Sequence, residues 1–165
     1  MSELTIVIAD ETKVDDAWIL MQEFHASVAS FPGEMQSTGK AKFLKYWRPT
    51  NARIIFLGYS GAIPVGICLL QEFAKDFDAP KCLELGAIYL REEFRKGFNA
   101  QRMYCECINL SHARLLPLVS EVSPENKKIL QLVRALGKRN TKSKASYVEH
   151  ILDNGRIKLV YQPCR

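Results

Sequence analysis

Residues 82–112 read CLELGAIYLREEFRKGFNAQRMYCECINLSH, and the succession of patterns within them decides the fold. Leu83 to Leu90 is an apolar run of strand length. Arg91 to Lys96 is a charged turn, followed by Gly97. Ala100, Met103, Tyr104, Cys107 and Ile108 then recur at helical spacing. A strand, a basic glycine-bearing turn and a helix suit a phosphate group, because turn N–H groups and the positive end of a helix converge on it. Two readings fit the segment: a nucleotide or coenzyme pyrophosphate site at residues 95 to 100, and a purely structural turn.

Toward the N-terminus, Leu4 to Ala9 reads as a short strand, and Val14, Ala17, Trp18, Met21, His25 and Val28 mark an amphipathic helix over residues 13 to 29. Phe31-Pro32-Gly33 stops it, and a second helix is expected from Glu34 to Trp47. Arg53 to Tyr59 and Ile63 to Phe73 flank Ser60-Gly61-Ala62 as a hairpin. After the central segment, Leu115 to Val122 is strand-like. Ser123 then reads as an N-cap with Pro124 at the first helical position, and Gly137 as the helix end. Tyr147 to Leu152 and Arg156 to Tyr161 flank Asp153-Asn154-Gly155 as a second hairpin. The order is β-α-α-β-β-β-α-β-α-β-β: a mixed α/β (α+β) fold, expected to be a single domain over residues 1–165 with a mixed central sheet of about seven strands and flanking helices.

The chain has 165 residues, 47% hydrophobic and 25% charged, which describes a globular protein and excludes a disordered one. Its formal charge of +5 favours anionic partners. From Lys127 onward ten cationic residues face only Glu149 and Asp153, so the earlier part is net acidic. That basic region reads as a solvated surface or as a patch for an anion. Only Tyr147 and Tyr161 interleave it, so a stacking platform for nucleic acid is not expected. The five cysteines are odd in number and lack a CxxC pair, which fits a reduced, cytoplasmic protein. No apolar run approaches the ~20 residues of a membrane span. His25, His112 and His150 have no partners at metal-ligand spacing, so no metal site is expected.

Four local features carry a resemblance. The hairpin Arg53 to Phe73 places Gly61 in its turn and Val65-Gly66 after it. Leu83 to Leu90 is a strand leading into Glu92-Glu93-Phe94-Arg95. Arg95-Lys96-Gly97-Phe98-Asn99-Ala100 carries an Arg, a Gly and an Ala at the turn. Val122-Ser123-Pro124-Glu125-Asn126 precedes a helix that reaches Leu136-Gly137. With the element order, these resemble the GNAT N-acetyltransferase superfamily over nearly the whole chain. The turn departs from the family's Q/R-x-x-G-x-G/A by one residue fewer between Arg and Gly. Val133 stands where the family often has a tyrosine that protonates the departing thiolate.

What the resemblance implies is transfer of an acetyl group from acetyl-CoA, as cosubstrate, to the amine of a small molecule or peptide. Arg95, Lys96, Gly97, Phe98, Asn99 and Ala100 would hold the pyrophosphate. The backbone of Ile88 and Leu90 would pair with the pantetheine arm beside a bulged, splayed strand, and Asn126 would contact the coenzyme. Glu84 is the candidate base by family position, and its other reading is an outward-facing strand carboxylate. Asn126 also fits a local helix-capping role. A homodimer is compatible with the family. The shortened turn and Val133 keep a second class open, a non-catalytic CoA-binding or degenerate GNAT-fold sensor or interaction protein.

Overall fold

The computed structural model describes residues 4–31, 39–74, 80–95, 98–140 and 145–163. The elements follow in the order β1 (Thr5–Ile8), α1 (Val14–Val28), α2 (Lys40–Tyr46), β2 (Arg53–Ser60), β3 (Ile63–Phe73), β4 (Cys82–Leu90), α3 (Asn99–Arg114), β5 (Leu118–Val122), α4 (Lys127–Asn140), β6 (Ser146–Ile151) and β7 (Ile157–Gln162). The strands form one seven-stranded sheet, ordered β1-β2-β3-β4-β5-β7-β6. Every described pairing is antiparallel except β4 with β5. This is the mixed α/β sheet with flanking helices that the element order predicts.

Two apolar cores lie on opposite faces of the sheet. One gathers Leu83, Leu85 and Leu90 of β4 with Met103, Tyr104 and Cys107 of α3 and Leu130, Val133 and Leu136 of α4. The other gathers Trp18, Leu20, Met21 and Phe24 of α1 with Phe43 of α2 and Ile55, Leu57, Ile67 and Leu69 of the central hairpin. Strands β2 and β3 are buried on both faces over six consecutive residues each, which is why they read as near-continuous apolar runs rather than alternating ones.

Three boundaries differ from the sequence reading by more than one residue. Strand β5 begins at Leu118 rather than Leu115, because Leu115 takes the left-handed conformation at φ 53° and closes α3. Its amide and that of Leu116 reach back to the carbonyls of His112 and Ser111 at 3.2 and 3.1 Å. Helix α4 starts at Lys127, since Ser123 to Asn126 forms a turn closed by Asn126 N–H to Ser123 O at 3.0 Å. The cap is therefore Asn126, whose Oδ1 accepts from Ile129 N–H at 3.5 Å. Gly137 does not end α4, which continues to Asn140. A Cβ at Gly137 would lie 2.5 Å from Cδ2 of Tyr147, so the glycine makes room for a ring from β6. The expected start of α2 at Glu34 falls outside the described residues, and the helix is described from Lys40.

Candidate functional site: a cleft between the parallel strands

The site begins with an extra residue in β4. Leu83 donates its amide to Pro117 O at 2.7 Å, on the β5 side, while Arg91 donates to Val65 O at 2.8 Å, on the β3 side. Backbone groups alternate in direction along a strand, so a regular β4 would aim residues 83 and 91 the same way. The alternation is reset at Gly86: Leu70 lies opposite Leu85, but Leu69 lies opposite Ala87, leaving Gly86 unmatched. Side chains change face there too. Leu83 and Leu85 face the α3–α4 core before the bulge, and Ile88 and Leu90 do so after it. Ala87 and Tyr89 turn to the α1–α2 core.

The consequence lies on the β5 side. The parallel ladder has only three paired positions, ending at Leu85 opposite Ser120. Beyond it β5 stays with β7, and β4 stays with β3. Ile88 and Leu90 therefore aim their backbone groups into an opening wedge. A cavity of about 680 Å3 occupies it, walled by β4 from Leu85 to Leu90, by Ser120 to Val122, by Ala100 and Gln101 of α3 and by the start of α4. Phe24, Val28 and Phe31 extend the wall to the α1 side.

The predicted residues distribute around this wedge unevenly. Ile88, Leu90, Arg95, Ala100 and Asn126 line it, whereas Glu84, Phe98 and Asn99 do not. Lys96 and Gly97 lie outside the described residues. Phe98 is 70% exposed, and Asn99 Nδ2 donates to Phe94 O at 3.1 Å. Arg95 Nε donates to Leu90 O at 2.6 Å, and its guanidinium lies 5.5 Å from the Tyr89 ring centroid. The Leu90 carbonyl is thus already engaged by Arg95, which borders the cavity. Asn126 combines both readings: its side chain caps α4, and the residue borders the cavity.

Glu84 sits on the α1–α2 face, opposite Val119 of β5. Glu121 shares that face, across from Lys158 of β7. Burial pushes the Glu84 carboxyl up from its ordinary value, the Glu121 carboxylate pushes the same way, and Lys158 opposes both. The cluster is half-buried, and Glu121 carries it to the cavity wall.

Next to the cavity-lining Tyr89, β4 and the residue after it are tied to α1 by Glu23, which accepts from Arg91 Nη2 at 2.7 Å and Nε at 3.0 Å, and from the Tyr89 hydroxyl at 3.2 Å. The Arg91 hydrogen bonds hold the Glu23 carboxyl below its usual range against the cost of burial. Its folded pKa is lower than its unfolded one. The pairing therefore stabilises the fold above the unfolded value of about 4.3 and is lost as pH falls through the folded value. With side chains 24% and 31% exposed, the pairing contributes about 1 kcal/mol. Glu23→Gln is expected to lower the urea midpoint at pH 7 and to converge with the parent protein as acid protonates Glu23. A gap between the two that stays constant from pH 7 to pH 3 contradicts the pairing.

No family model matches the sequence, and no curated protein matches it. Solved structures do match. An acetyltransferase from Thermus thermophilus superposes with a TM-score of 0.68 at 16% identity, covering 98% of this chain and 97% of that one. The aminoglycoside acetyltransferase AAC(6')-Iy, in complex with the bisubstrate analog CoA-S-monomethyl-acetylneamine, gives 0.65 at 16% identity, over 82% of this chain and 90% of that one. A ribosomal-protein-alanine N-acetyltransferase from Brucella melitensis biovar Abortus 2308 gives 0.61 at 12% identity, over 81% and 90%. The fold is that of the GNAT acetyltransferase superfamily.

Within this GNAT fold, several wedge residues escaped the sequence reading. Gly86 was the most legible of them, since a glycine inside an apolar strand signals a bulge or a close approach. Ser120, Glu121 and Gln101 carried no signal, because nothing local tells which residues of one strand will face the gap left by another. Ser120 is 1% exposed, and its hydroxyl, near the Tyr104 phenol, makes no hydrogen bond of good geometry. In a GNAT fold this places an incompletely satisfied polar atom beside the closed end of the wedge.

Proposed function

We propose that residues 1–165 form one coenzyme A-dependent N-acyltransferase domain that moves an acetyl group from acetyl-CoA to an amine of a small molecule or peptide. The observation that carries this reading is the reset of β4 at Gly86, which turns the Ile88 and Leu90 amides toward a wedge that β5 does not fill. A buried amide left without a partner is costly, so such a strand edge suits an extended ligand arm with its own carbonyls. The first turn of α3, reached through Ala100 and Gln101, and the Arg95 guanidinium add favourable ground for phosphate at the wide end. The coenzyme analogue held by AAC(6')-Iy, which shares the fold, supports the same choice of ligand.

The reaction is direct attack. The amine nitrogen forms a bond to the thioester carbonyl carbon, the carbon–sulfur bond breaks, and its electron pair leaves with sulfur. An amine of pKa about 10 is almost wholly protonated at neutral pH, so a base is needed to free its lone pair. Glu84 takes that part through water, its raised pKa bringing it nearer the working pH. Backbone amides at the bulge steady the developing oxyanion. Val133 is fully buried in the α3–α4 core, so α4 supplies no hydroxyl at that position. A thiolate near the cysteine value of about 8.5 can take its proton from solvent.

Val133 also favours a second reading, a GNAT domain that binds CoA without turning it over. Release of free thiol from acetyl-CoA across a broad panel of small-molecule and peptide amines separates the two. Turnover with at least one amine is expected. A protein that binds the coenzyme yet acetylates none of the panel is the sensor or interaction protein instead.

A further inference from the structure

The bulge that opens the wedge is seated on one aromatic side chain. A Cβ at Gly86 would lie 2.9 Å from Cη2 and 3.2 Å from Cζ2 of Trp47, so the edge of the indole occupies the notch that the glycine leaves. Trp47 is itself held in place. It closes α2 with its amide on Phe43 O at 2.7 Å, and Phe43 is 3% exposed with its ring 5.3 Å from that of Trp18. The indole thus reaches the sheet from the α1–α2 core, the face opposite the helices α3 and α4 that wall the wedge.

We propose that Trp47 is a positioning residue for the coenzyme wedge: its ring edge, lodged against Gly86, holds β4 in the bulged register that aims the Ile88 and Leu90 amides into the cleft. The proposal rests on the coenzyme reading above. Its physical basis is the freedom of glycine. Gly86 has no side chain to fix its own conformation and sits inside a strand, where glycine is the least restrained residue. A one-residue slip that absorbed the bulge would reverse every side chain and amide from Ala87 to Leu90. Leu90 and Ile88 would leave the α3–α4 core, and their amides would turn to β3. The indole bounds the Cβ side of Gly86, and Leu69 O, 3.9 Å from the same Cβ position, bounds it along the β3 pairing, so the glycine is held between the two.

The test uses coenzyme A itself as the probe, with affinity measured by calorimetry on the full chain, so it needs no knowledge of the acceptor. Trp47→Leu is expected to weaken CoA binding at least tenfold, while Trp47→Phe, which keeps an aromatic edge, stays within about threefold. Gly86→Ala is expected to weaken binding at least tenfold in the parent protein but to add little in Trp47→Leu, where the ring it strikes is gone. That non-additivity is the reading a merely structural tryptophan would not produce. Additive losses, or a Trp47→Leu protein that binds CoA within twofold of the parent, overturn the proposal. Should Trp47→Leu not fold, a folded Gly86→Ala with parental affinity overturns it equally. A parent protein that binds no CoA at all is a different failure. It removes the coenzyme reading, and the role assigned to Trp47 falls with it.

Discussion

Glu84→Gln is expected to lower the rate of acetyl transfer by about 10²- to 10⁴-fold, the range a positioned general base supplies, while raising the unfolding temperature at neutral pH. The two effects have one cause. Burial and the neighbouring Glu121 raise the Glu84 pKa in the folded protein. The folded state then binds its proton more tightly than the unfolded state does, so ionising Glu84 costs stability as pH rises. Glutamine keeps the shape and removes that charge. An outward-facing strand carboxylate with no catalytic part would show the gain in stability without the loss of rate. A variant with parental turnover therefore rules Glu84 out as the base. A variant with reduced turnover whose rate no longer depends on pH in the acid limb identifies it.

Saturating coenzyme A is expected to raise the stability of the protein by about 2.7 kcal/mol at 100 times its dissociation constant. For a chain of this size that corresponds to roughly 5–10 °C in melting temperature. Ile88→Pro offers the sharpest control. Proline deletes the one amide of residue 88, which points to the wedge and not to the β3 ladder, so strand pairing loses no hydrogen bond from that N–H. The variant melts lower because it also loses an apolar side chain from the core. Its own coenzyme-induced shift is expected to fall to a small fraction of the parental one. A full shift in Ile88→Pro means the coenzyme does not lie along β4, whatever else it touches.

These expectations depend on features that differ in how far the sequence disclosed them. The central hairpin was legible almost to the residue: β3 runs Ile63–Phe73 as read, because β-branched and aromatic residues are continuous there and Gly61, at φ 61°, marks the turn. The start of α4 lies later than the sequence suggests because Ser123-Pro124 imitates a capped helix start, while the chain uses those residues for a turn and caps with Asn126. Gly137 misleads for a comparable reason. Glycine after a helical run signals an end when only local propensity is considered, and the ring that it accommodates comes from Tyr147, ten residues later. Of the candidate site, Ile88, Leu90, Arg95, Ala100 and Asn126 reach the wedge, and Glu84 stands behind it on the other face.

The element order and, through it, the mixed sheet can be read from the residues alone, because periodicity and turn chemistry are local and survive without knowledge of neighbours. It also supplied the residue that makes the wedge, Gly86, in plain view inside an apolar strand. What that glycine does is set by long-range contacts. The direction of a backbone amide depends on which strand lies on each side and where pairing stops. Here the parallel ladder ends at Leu85 opposite Ser120 and an indole from the end of α2 fills the notch. Those are contacts between residues as far apart as 47 and 86, and no local pattern encodes them.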